Sequence, residues 1–300
     1  MGNLDVLFEA PIFAVQLLID GLLIGAIFAL VAYGMALVWG VMNVINIAQG
    51  EFVVLGGYMV VICADDLGLS PFLGVPLGAL VGFLLGWLVY GLVVRRVVDH
   101  DLFISILATF GVSILIAQSL NQVFGPDERS FDPGLGSIYM FDNVVTISII
   151  KVVALVAAFA IGGALLLFLR HARLGQAIRA TAQNPRAARV MGIDTDRVFA
   201  MTYAVNAAIC GAAGALVAMT WVIGPYAGLP YTVRAFMIVI VAGLGNLGSV
   251  ILAGLGLGVA EHFANFIFGA EAQLAFVFSL LVVILIARNL MLRRRRMVLR

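Results

Sequence analysis

The chain has 300 residues, 63% of them hydrophobic and 11% charged, with a mean hydropathy of +1.14 and a formal net charge of +1. Soluble domains carry roughly 45–50% apolar residues, so a soluble fold is excluded, while the net charge by itself points to no partner. Runs without Asp, Glu, Lys or Arg cover 21–50, 67–94, 102–126, 198–233 and 235–260. About 20 apolar residues cross a bilayer as a helix, so this is a polytopic membrane protein.

In chain order, a first span is expected over 12–39, followed by a polar interruption over 40–51. A shorter span, 52–64, ends at the acidic turn DDLGLSP; 72–94 returns to the turn RRVVDHD; and 102–124 leads into the longest loop, 125–143. The span 144–169 runs into an arginine-rich segment, and 199–222 leads to the turn GPYAGLPY. Residues 233–242 enter partway before GLGNLGS, and 250–268 and 272–287 complete the set. The result is an all-α bundle of eight or nine crossings, some short, broken or re-entrant, forming one transmembrane domain over 1–300. A barrel would show short alternating strands; these runs are continuous.

Fourteen of the sixteen arginines fall at 95–96, 170–197 and 288–300, whereas acids collect at Asp5, Glu9, Asp20, Asp65, Asp66, Asp127, Glu128, Asp132 and Asp142. The positive-inside rule puts the arginine-rich segments and the C-terminal tail in the cytoplasm and the N-terminus outside; the cell's inner membrane is the expected location. No cleaved signal peptide is read at the N-terminus. Cys63 and Cys210 lie in apolar runs and read as small buried hydrophobes. Glycines in GGYMVVICA, GAAGALVAM and GLGLGVAE suit close helix packing. GVMNVINIAQGEFVVLGGY (40–58) and GLGNLGSVILAGLGLGVAE (243–261) share a polar break followed by small residues, which suggests parallel halves.

The segment 170–198 holds six arginines, too many to leave in lipid. Its Ala, Arg, Gln and Met favour helix. Asn184 suits an N-cap with Pro185 at the first helical position, and Gly192 suits the position after a helix end. Two short helices are expected, 174–183 and 185–191, the second with a packable surface from Ala187, Ala188, Val190 and Met191. Such a projecting helix is either a knob for a cytoplasmic partner or a solvated connector.

Within the apolar spans, Asn43, Asn46 and Gln49 recur every three residues, which on a helix would place them on one face, and Glu51 follows. Such groups either glue helices or line a path. Asn206, Asn246, Glu261 and His262 read the same way, while Asn121 and Gln122 suggest an interface. Arg234 either snorkels or receives an acid from a binding protein. Tyr226 and Tyr231 bracket an interfacial turn, and Trp39 and Trp87 read as belt or packing. His100, His171 and His262 have no metal-ligand spacing, no catalytic constellation emerges, and the basic clusters are too short for nucleic acid.

The spacing Ala187-Ala188-x-x-x-Gly192 resembles the EAA loop of ABC-importer permeases. GLLIGAIFALVAYGMALVWGVMNVINIAQGEFVVLGGY, ATFGVSILIAQSLNQVFG, RATAQNPRAARVMGIDTDRV and GLGNLGSVILAGLGLGVAE together resemble, in order, the branched-chain amino acid ABC permease family, over essentially 21–261. The chain length resembles the smaller of that family's two paired permeases. The resemblance implies that Gln183, Asn184, Pro185, Arg186, Ala187, Ala188, Arg189 and Gly192 form a coupling helix. It also implies a second permease, two ATP-binding subunits and an extracytoplasmic substrate-binding protein as partners. Arg186 stands where the general motif has Glu, so any ion pair from that position would need an acid on the partner. A P-loop needs GxxxxGK[ST], and the single lysine, Lys151, lies in IIKVV. ATP is therefore used by partner subunits, with no cofactor in this chain. Relatives that import urea or short amides, and an ion-coupled secondary transporter using Glu51 and Glu261, are the alternative readings.

Overall fold

The structure, a computed structural model, describes residues 11–98, 101–140, 145–243, 247–269 and 273–298, and side chains within these except at 11, 247, 274 and 287–298. Asn246 and His100 lie outside the described residues.

Eleven helices are described: α1 (Pro11–Met42), α2 (Gln49–Val61), α3 (Gly74–Leu92), α4 (Leu102–Phe124), α5 (Ile149–His171), α6 (Arg173–Gln183), α7 (Pro185–Val190), α8 (Thr195–Ala218), α9 (Gly228–Ala242), α10 (Leu247–Phe268) and α11 (Gln273–Val298). Six of the helical stretches are long and apolar enough to cross a membrane, and shorter apolar stretches cover Gly228–Ala242 and Ala275–Ile286. With α2 these supply the broken crossings expected from the sequence, and the all-α membrane bundle holds. α11 runs on as helix through most of the region read as a basic tail.

The loop 125–143 contains more order than expected. Strands β1 (Ser137–Met140) and β2 (Val145–Ser148) pair antiparallel, with Ser137 opposite Ser148. The strands are four residues each; Val145 to Ser148 alternates apolar and polar, the shortest stretch on which alternation speaks, and it leads straight into a long, mostly apolar run. The pairing is anchored to the bundle through Gln16 of α1. Its amide donates to Thr146 O at 2.9 Å and accepts from Thr146 N–H at 2.9 Å. The same Gln16 amide donates to Asp20, which pairs with Lys151 Nζ at 2.7 Å. The only lysine of the chain thus clamps α5 to α1.

Helices α1 and α8 form the buried centre of the bundle; 94% and 83% of their apolar windows are covered by protein, against 28–33% for α3, α4, α5 and α10. Small residues let the backbones close. Gly74, Gly78, Gly82 and Gly86 form a four-residue stripe on α3, all buried. A Cβ on Gly78 would meet Gly211 of α8, and one on Gly258 of α10 would collide with the backbone of Gly21 and Gly25 of α1. Without a hydrophobic drive between helices in lipid, such approach is where association energy comes from. The expected packing stretches are used, at Gly56, Gly211, Gly214, Gly254 and Gly258, but the α3 stripe was not foreseen. Both cysteines are buried and free, as expected.

The second break of the supposed repeat lies partly outside the described residues, at 244–246; after the first, α2 continues without interruption into a π-helical turn, Ile62–Asp66.

Candidate functional site

α1 ends where Asn43 takes a positive φ of 53°, its N–H still bonded to Trp39 O at 3.0 Å. The chain then turns back, and α2 starts deep inside the bundle. Gln49 Nε2 donates to Val31 O of α1 at 3.0 Å, eleven residues, or about 16 Å of helix rise, from the end of α1. α9 begins at the same point: the Gly228 backbone abuts Gly50, and Gly50 N–H donates to Thr232 Oγ1 at 2.8 Å. The two helices then part. α2 runs toward Gly74, whose Cβ position meets Val60, and α9 runs toward the end of α1, where Phe236 stacks on Trp39 with ring centroids 5.2 Å apart. α9 therefore starts five residues earlier than expected. Pro230 is tolerated because the first turn needs no intrahelical donor.

No irregular backbone survives in a membrane protein unless its polar groups are paired, and side chains do that here. Thr109 Oγ1 of α4 accepts from Ile47 N–H at 3.1 Å and lies 3.2 Å from Ile45 O. Thr232 Oγ1 donates to Ile47 O at 3.0 Å. Asn46 Oδ1 accepts from Ala48 N–H at 3.2 Å and from Tyr203 OH at 3.0 Å. Asn46 Nδ2 donates to Gln49 Oε1 at 3.5 Å, and Gln49 Nε2 also reaches Cys210 Sγ at 2.8 Å. Asn206 sits on Cys210, its Oδ1 3.7 Å from Sγ, and its Nδ2 has no partner. Glu51 is 4% exposed; its Oε1 accepts from Ser113 Oγ at 3.0 Å and its Oε2 has no partner.

The structure therefore brings together Asn46, Gln49, Glu51 and Asn206, but not as one helical face. Asn46 and Gln49 lie on either side of a helix start. Asn43 is exposed and lines a separate cavity with Gln183 and Pro185. The residues missed were Thr109, Ser113, Tyr203 and Thr232, single hydroxyls whose sequence neighbours give no sign of a partner.

Glu261 lies elsewhere. Arg234 of α9 grips it with Nε at 2.9 and 3.0 Å from its two oxygens and Nη2 at 2.5 Å from Oε1. Gln273 Nε2 adds a bond to Oε1 at 2.5 Å. Arg234 is 8% exposed and lies 4.9 Å from the centroid of the Phe28 ring. A guanidinium this buried, paired with Glu261 and bordering an internal cavity, does not snorkel, and that expectation for Arg234 is corrected. Tyr231 is likewise buried rather than interfacial, while Tyr226 is exposed.

The arginine-rich segment folds as two helices near the expected bounds. Asn184 Oδ1 caps α7 by accepting from Ala187 N–H at 3.0 Å, with Pro185 first in the helix. Gly192, at φ 84°, ends it, with N–H bonds from Gly192 to Arg189 O and from Ile193 to Ala188 O, both 3.0 Å. The packable surface is divided differently from expectation. Ala188 is buried against the bundle, and Arg189 Nε donates to Thr195 Oγ1 at 2.6 Å, whereas Val190 and Met191 are 87% and 81% exposed. A 3.6-residue period over six residues gives no sign of which side faces the bundle.

One solved structure shares this fold, and several relatives share its sequence. A chain in the structure of PsaBC from Streptococcus pneumoniae in complex with Fab superposes with a TM-score of 0.51 over 94% of this chain and 93% of that one, at 12% identity, a likeness of fold. The high-affinity branched-chain amino acid transport system permease protein BraD of Pseudomonas aeruginosa is 30% identical over 91% of this chain and 93% of its own length. LivH of Escherichia coli K12, with the same description, is 28% identical over 93% and 94%. The probable branched-chain amino acid transport permease protein LivH of Methanocaldococcus jannaschii is 26% identical over 84% and 81%. Residues 17–287 match the family described as branched-chain amino acid transport system / permease component, and the chain belongs to that family of integral membrane permeases.

Proposed function

We propose that this chain is the membrane-spanning subunit of an ATP-driven importer of branched-chain or other hydrophobic amino acids. It works by alternating access beside a second permease, with two ATP-binding subunits below and an extracytoplasmic binding protein above, in the inner membrane. The α6–α7 end faces the cytoplasm and the N-terminus faces outside. The observation that carries the reading is α7: a rigid rod, capped at both ends, fixed to the bundle through Ala188 and Arg189, and presenting Val190 and Met191 outward. We read the adjacent, exposed Val190 and Met191 as the apolar part of the contact with an ATP-binding subunit, and Arg186 as seeking an acid on that partner. The chain has no P-loop lysine, so ATP is hydrolysed by the partners.

The test is uptake by the reconstituted assembly. Leucine accumulation should require ATP, persist when ion gradients are collapsed, and disappear when the binding protein is omitted. Uptake driven by a gradient without ATP refutes the proposal.

A further inference from the structure

Between α1, α9, α10 and the start of α11 lies a cavity of ≈ 340 Å³. Buried Phe28, Tyr231, Arg234 and Glu261 line it together with half-buried Trp221 and His262. That volume lies within the range of small-molecule pockets, roughly 300–1,000 Å³, which combine apolar walls with a few convergent polar groups. A second cavity, of ≈ 610 Å³ beside α6 and α7, offers amides but no charged side chain among its lining residues.

The ion pair is placed unlike a mere staple. A buried pair is costly to desolvate and stabilises little by comparison with well-packed apolar groups. A pair serving only as glue would be packed over. Here both members border open space, and the guanidinium lies near two rings, 4.9 Å from the Phe28 centroid and 5.9 Å from that of Tyr231. Phe28 in turn stacks with Trp221, centroids 6.1 Å apart. One wall thus offers a fixed cation and a fixed anion side by side, and the adjacent wall offers aromatic surface.

We propose that this cavity is an intramembrane binding site for a zwitterionic amino acid with an apolar side chain. The α-carboxylate takes Arg234, the α-ammonium takes Glu261, and the side chain lies on Phe28 and Trp221. The assignment rests on the amino acid importer reading and names the site that reading leaves open. It also selects against urea, which has no charge to place on either member.

The experiment uses the assembled transporter in lipid nanodiscs without the binding protein, with leucine as the probe in saturation-transfer NMR. Wild type should show saturable leucine contacts, displaced by isoleucine and by neither 4-methylpentanoate nor 3-methylbutylamine, each of which has lost one charge. The swap Arg234→Glu with Glu261→Arg rebuilds the pair with its polarity reversed, and leucine affinity should fall roughly tenfold or more in protein that still elutes as the intact complex. Trp221→Ala leaves the pair untouched and should weaken leucine while sparing alanine, which keeps the test decisive if the swap does not assemble. Wild-type leucine affinity in both variants overturns the site, as does a wild-type complex that imports leucine yet shows no such contacts. A wild-type complex that imports no amino acid, or imports urea, instead overturns the importer reading.

Discussion

The first residue of α9, Gly228, lies so close against the Glu51 carboxylate of α2 that a Cβ there would overlap Oε1, Oε2 and Cδ. Gly228→Ala should therefore push apart the two helix starts and markedly lower the melting temperature of the assembled complex. Glu51→Ala in the same chain removes the obstacle and should recover part of the loss. The coupling energy between the two substitutions should lie at or above about 1 kcal/mol, as for residues in direct contact. Simple additivity would show that the contact does not exist.

Thr232 serves two backbone groups at once, accepting from Gly50 N–H and donating to Ile47 O. Thr232→Val keeps the shape and orphans both, at a cost of roughly 1–3 kcal/mol per unsatisfied group. Thr232→Ser retains the hydroxyl and should stay near wild type. Thermal unfolding monitored by size-exclusion fluorescence separates the two; equal stability for Val and Ser would remove the hydroxyl's assigned role.

The glycines divide into close-approach and open positions. A Cβ at Gly211 meets the backbone of Gly78, whereas one at Gly111 of α4 meets nothing within 4 Å. Gly211→Ala should separate α8 from α3 and reduce the yield of folded protein. Gly111→Ala should be neutral or stabilise by up to about 1 kcal/mol through helix propensity.

For α7 the exposed tip should matter more than the expected alanine pair. Met191→Asp should cut ATP-driven uptake severely while leaving the complex's melting temperature unchanged, because Met191 contributes little to the bundle. Asn184→Ala removes the cap bond and should cost about 1 kcal/mol of local helix stability, giving a milder uptake defect. Ala188→Trp should disturb folding itself, since Ala188 is buried. If Met191→Asp transports normally, α7 is not the coupling element.

Much of the architecture was legible because long apolar runs admit few structures in lipid. The α7 caps were legible because Asn-Pro and a following glycine each solve a local backbone problem. The polar break was harder. Asn43, Asn46 and Gln49 at three-residue spacing imitate a helix face, and only long-range partners such as Thr109 and Thr232 show that a helix begins there instead. Arg234 and Glu261 left a usable signal: two opposite charges, each isolated, bound the charge-free run 235–260, and isolated intramembrane charges pair. The β1–β2 pair left a faint one, the four alternating residues Val145 to Ser148 ahead of a longer apolar run.

One consequence follows from α2 and α9 starting at a common point. Each helix N-terminus carries the equivalent of roughly half a positive elementary charge, so two of them meeting amount to about one. The carboxylate of Glu51 sits in the first turn of α2 and against the first residue of α9, at the junction of both positive poles. Whatever negative charge it carries is met by oriented peptide dipoles, which is how an acid can stand at the heart of this bundle with no arginine or lysine paired to it among the described residues.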